Sequence, residues 1–127
     1  MNATDILNNA RNTIISNIID LVRKISAFAA TGDKMLKVAK DEEAILDATN
    51  FPIDRMPIIE AEVWDTYTDD YYSDEQRITE IAASDSGLCI TAKSVLSDEA
   101  DVVELDDIST DDLASIATFL ETEYRKM

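Results

Sequence analysis

The sequence predicts an α+β fold: an N-terminal helical hairpin, a three- or four-stranded antiparallel sheet and a C-terminal helix. Three observations carry this. Apolar residues recur at helical spacing through the first thirty positions. From Ile59 they alternate with polar ones and meet a Gly-containing turn, the mark of antiparallel strands. A capping sequence then precedes a last helical stripe. At 127 residues the chain fits one domain, 1–127, with a helical part over 1–50 and an acidic sheet-plus-helix part over 51–127.

In the first helix, expected from Asn2 to Ala30, Leu7, Ile14, Leu21 and Phe28 lie seven apart, with Ile18 and Ile25 interleaved. Asn2 suits the cap and Asp5 the first turn. Thr31-Gly32-Asp33 reads as a stop and a new cap, followed by a second helix over Lys34 to Ala48. The stripe packs on the sheet by default. Its width also suits a homodimer through the N-terminal helix.

Pro52 and Pro57 make residues 49–57 a connector anchored by Phe51, Ile53 and Met56. Ile59, Ala61 and Val63 then alternate with Glu60, Glu62 and Trp64 as in a half-buried strand. Ser84-Asp85-Ser86-Gly87 joins strands Arg77–Ala83 and Leu88–Lys93. Residues 74–83 also fit a helix, since Ser73-Asp74-Glu75-Gln76 matches a capping box; β-branched Ile78, Thr79 and Ile81 favour the strand. A short strand is expected over Val102 to Leu105. Ser109 caps the last helix, Asp112 is placed to reach back to it, and Leu113, Ile116, Leu120 and Tyr124 line its inner face.

Charge is segregated. Residues 1–50 sum to −1 and residues 51–127 to −15. Such a surface repels nucleic acid and anionic membrane, and it attracts cations or basic proteins. The chain has no histidine, one cysteine and two glycines. Histidine-based catalysis, thiolate metal clusters and glycine-rich phosphate loops are therefore excluded, and no cofactor is implied. Cys89 is expected as a small core residue. Neither Asp69–Gln76 nor Asp98–Asp107 has the glycine of a calcium loop. A looser magnesium site at Asp106, Asp107, Asp111 and Asp112 competes with the capping roles of Asp111 and Asp112. With no basic apolar leader or uninterrupted apolar span visible, the expected setting is soluble and cytoplasmic.

Trp64, Tyr67, Tyr71 and Tyr72 crowd beside Asp65, Asp69 and Asp70. Exposed aromatics among acids suit a partner-binding site, here Trp64, Tyr67, Asp69, Asp70, Tyr71 and Tyr72. The alternative is that Trp64 and Tyr67 simply cover the sheet. The expected function is thus a non-catalytic protein-interaction or regulatory module with a basic partner. The second reading is an acidic mimic of nucleic acid that occupies a basic groove; the third is a metal-dependent hydrolase.

The ending Asp106-Asp107-Ile108-Ser109-Thr110-Asp111-Asp112-Leu113, after a Gly-turn hairpin, resembles the C-terminal part of small acidic uncharacterised proteins of gut Bacteroidetes and their mobile elements. The resemblance implies a non-enzymatic accessory protein, bacterial or phage-borne.

Overall fold

A computed structural model describes residues 3–38, 42–96 and 100–127. Helix α1 (Ala3–Thr31) leads into strands β1 (Ala44–Asp47), β2 (Ile58–Asp65), β3 (Asp70–Ser84), β4 (Gly87–Ser94) and β5 (Ala100–Val103), and helix α2 (Thr110–Lys126) follows. This is the expected α+β class, with a helix at each end of an antiparallel sheet. The proposed Asn2 cap and the Asp98-Glu99 cluster lie outside the described residues.

Helix α1 ends where expected. Gly32 takes a left-handed φ of 71° and donates its N–H to Phe28 at 2.7 Å, the usual use of a glycine just past a helix. The second helix of the predicted hairpin does not form in the described part of 34–48. Asp33 caps only a tight turn, accepting from the Met35 N–H at 2.9 Å, and Ala44–Asp47 is a strand. Ala44 and Leu46 face inward while Ile45 is exposed, so the segment has a period of two. Pairing with Glu80–Ala83 of β3 overrides its helical propensity.

The sheet has five strands among the described residues, where three or four were expected. Its centre is the long strand β3, with β4 on one side and both β1 and β2 on the other. The 74–83 segment is strand, as the β-branched residues indicated. The β3–β4 hairpin closes at Ser84 and Gly87, where Gly87 has φ 120°. A bulge at Thr79 shifts the register between Ile78 and Glu80; bulges add bend and twist, and this sheet is curled.

The concave face is apolar. Leu46, Ile59, Ile78, Ile81, Leu88 and Ile90 meet Ile18, Val22 and Ile25 of α1 and Leu113, Ile116 and Leu120 of α2. Phe51, Ile53 and Met56 of the connector are buried there too, and Phe51 meets Phe119 edge-to-face with centroids 5.9 Å apart. Cys89 corrects the sequence reading: it is exposed, because Leu88 and Ile90 take the inward positions on either side of it.

The two helices lie side by side and parallel. Arg11 of α1 reaches the start of α2, donating to the carbonyl oxygens of Leu105 and Ile108, the latter at 2.8 Å. At the far end the Lys34 ammonium sits 5.0 Å from the ring of Tyr124 and 5.8 Å from that of Phe28, a cation–π bridge between α1's exit and α2's last turns.

Candidate functional site

The β2–β3 hairpin gathers all six residues singled out in the sequence. Strands β2 and β3 pair in register from Ile58–Arg77 to Asp65–Asp70, leaving a four-residue loop at 66–69. Local chemistry shapes that loop. The Asp65 carboxylate accepts from the Tyr67 N–H at 2.9 Å, and Asp69 adopts φ 55°, a conformation aspartate tolerates better than most residues. Tyr67 stands at the tip, 99% exposed. Trp64 is 46% exposed.

Opposite residues share a face, so register decides which aromatics meet. Trp64 lies across from Tyr71 and their rings touch edge-to-face at 5.0 Å. Tyr72 lies across from Val63 and therefore on the other face. The hairpin offers one aromatic pair plus Tyr67 and Tyr72 separately, rather than a single aromatic surface.

The same register sets like charges against each other. Glu60 faces Glu75, and Asp65 faces Asp70; such pairs are mildly unfavourable by themselves. Between Arg55 and Arg77 the sequence carries seven Asp/Glu and no Lys or Arg. Arg77 itself is turned to the connector, donating to Asp54 O at 2.7 Å and Met56 O at 3.2 Å.

Because the sheet curls, β2 and β5 approach across a cleft of about 240 Å³. Its walls include Glu62 and Trp64 on one side and Asp101, Glu104 and Asp107 on the other. Glu62, Glu104 and Asp107 were not singled out for this, since nothing local in the sequence reveals which edges a curl brings together. A larger hollow of about 620 Å³ separates α1 from α2, lined by Ile14, Leu21, Ala117 and Tyr124. Its rim charges pair within each helix, Lys24 with Asp20 at 2.8 Å and Arg125 with Glu121 at 2.6 Å. The Asp20 hydrogen bond raises the Lys24 pKa above the usual lysine value.

Among the described residues no group of three or more Asp, Glu or Cys is placed to hold a metal ion. Asp112 is instead engaged structurally, accepting from the Glu60 N–H at 3.1 Å. Ser109 caps α2 as expected, accepting from the Asp112 N–H at 3.1 Å. Among the described residues no helix is long and apolar enough to cross a membrane.

No protein-family model matches the chain, and no curated protein or solved structure does either.

Proposed function

We propose that this chain is a non-catalytic interaction module whose β2–β3 hairpin receives a basic segment of a partner protein. The observation that carries this reading is the exposed Trp64–Tyr71 pair on a ribbon whose charges are all negative between Arg55 and Arg77. Aromatic rings supply contact area at low entropic cost, and they attract Lys and Arg through their faces. The Glu60–Glu75 pair, on the same face as Trp64 and Tyr71, gains from a cationic neighbour.

Nucleic-acid mimicry stands second, because it requires carboxylates on one continuous face. Asp101 and Asp107 line the β2–β5 cleft, whereas Asp106 lines a separate hollow with Leu88 and Cys89. Asp69 belongs to the hairpin tip and Asp111 to the first turn of α2. This distribution favours a local acidic site over an extended one. A homodimer through α1 would draw on Ile14 and Leu21 in the interhelical hollow, since Ile18, Val22 and Ile25 are fully buried in the core.

Trp64 is the chain's one tryptophan, so its emission reports on the site directly. Titration with a short Lys- and Arg-rich peptide should shift that emission saturably, and the effect should weaken as salt rises. Tyr71→Ala should weaken binding at least tenfold while leaving the fold intact. An unchanged spectrum, or equal binding by the variant, would refute the reading.

A further inference from the structure

Register determines which main-chain groups of β2 face outward. The Glu75 carbonyl accepts from the Val95 N–H at 3.2 Å, on the β4 side. Glu75 and Glu60 therefore form a pair that exchanges no hydrogen bonds. Every second position repeats that state, so the N–H and C=O groups of Glu60, Glu62 and Trp64 point away from β3.

Elsewhere the chain closes such groups deliberately. The Glu60 N–H is taken by Asp112. On β1, the Asn50 side chain donates to Ile45 O at 2.8 Å and accepts from the Asp47 N–H at 3.0 Å, standing in for a neighbouring strand. Exposed edges invite pairing with another chain, and covering them is the ordinary remedy. Among the described residues nothing covers Glu62 or Trp64 in this way. Their edge borders the cleft whose other wall carries Asp101, Glu104 and Asp107.

We propose that this open edge of β2 takes a basic, extended protein segment as an added strand. The proposal rests on the hairpin reading above and specifies how the partner is held. Main-chain hydrogen bonds form with Glu62 and Trp64, and alternate side chains of the segment fall toward the cleft. A basic occupant fits because, among the described residues, the cleft is lined by Glu62, Asp101, Glu104 and Asp107 and by no Lys or Arg. The aromatic pair at Trp64 and Tyr71 then flanks the segment.

The test uses the full chain and a capped peptide of alternating Lys and Val. A second peptide of the same sequence is methylated at every main-chain nitrogen, which keeps its charge and removes its main-chain donors. The unmethylated peptide should shift Trp64 emission and slow amide exchange at Glu62 and Trp64 at least tenfold. Exchange at Asp47, whose N–H is already bonded to Asn50, should not change. The methylated peptide should bind at least tenfold more weakly. Glu62→Pro, which removes one edge donor outside the β2–β3 ladder, should bind more weakly than Glu62→Gln. If both peptides bind alike, or exchange at Glu62 and Trp64 is unmoved while emission shifts, strand addition is wrong and the hairpin reading survives. If neither peptide moves Trp64 emission, both fall. The two peptides decide the matter even if the proline variant fails to fold.

Discussion

Asp112, in the first turn of α2, accepts the backbone N–H of Glu60 in β2 at 3.1 Å. A helix side chain thus serves as the neighbour this part of the strand lacks. The carboxylate also sits at the helix N-terminus, where negative charge is favoured. Asp112→Ala should lower stability by about 1–2 kcal/mol, and Asp112→Asn by less, because its amide oxygen still accepts. Urea unfolding gives the first quantity. Faster amide exchange at Glu60 in the alanine variant gives the second, and unchanged exchange there would show that the bond is not formed in solution.

Arg11 fastens the chain over a longer distance. Its guanidinium donates to Leu105 O and Ile108 O on the approach to α2, a fork that lysine cannot reproduce. Arg11→Lys should therefore lose most of what Arg11→Ala loses, about 2 kcal/mol by denaturant titration. Stability of the lysine variant close to that of the native chain would mean that charge alone matters.

Asn50 makes a different claim, about association. Asn50→Ala should leave Ile45 O and the Asp47 N–H open at the β1 edge, costing about 1 kcal/mol. The larger effect should be growth of scattering species at high concentration, as expected of an uncovered edge. Light scattering on native and variant chains at matched concentration checks it.

Asp47 supplies a pH test. The Thr49 hydroxyl donates to its carboxylate at 2.5 Å and the Thr49 N–H at 2.9 Å, and these bonds hold its pKa below the usual aspartate value. A depressed folded-state pKa contributes stability that is present above the unfolded value and lost as pH falls through the folded one. Thr49→Val should therefore raise the Asp47 pKa and flatten that acid-side loss. An NMR titration of the Asp47 carboxyl reads the shift, and no upward movement would count against the hydroxyl as its main cause.

The sequence made period and caps legible and left long-range pairing hidden. Ser109, Gly32 and Gly87 act within a few residues of themselves, and each has its expected role. The alternation of Ile59 and Ala61 marked β2, and β-branched residues separated strand from helix at 74–83. Ala44–Asp47 was misread because four residues cannot outweigh the helical propensity around them until β3 is there to pair with. The capping pattern points Asp112 back to Ser109, but its carboxylate accepts from the N–H of Glu60, 52 positions away in sequence. The aromatic hairpin was visible from composition. The cleft beside it was not, since the bulge at Thr79 and the approach of β5 are tertiary facts.

The parallel placement of α1 and α2 has a kinetic consequence. Strands β2, β3 and β4 are joined by turns of a few residues and can zip locally. Contacts between α1 and α2 instead close loops of nearly the whole chain, as the 97 positions between Arg11 and Ile108 show. Such distant closures are slow to form. The hairpins should therefore assemble first, leaving the concave face open until both helices arrive. During that interval Ile78, Ile81 and Ile90, fully buried in the finished fold, should remain in contact with water, and the negative charge of residues 51–127 should keep half-formed chains apart by mutual repulsion. That same acidity should thus guard the chain against association while it folds.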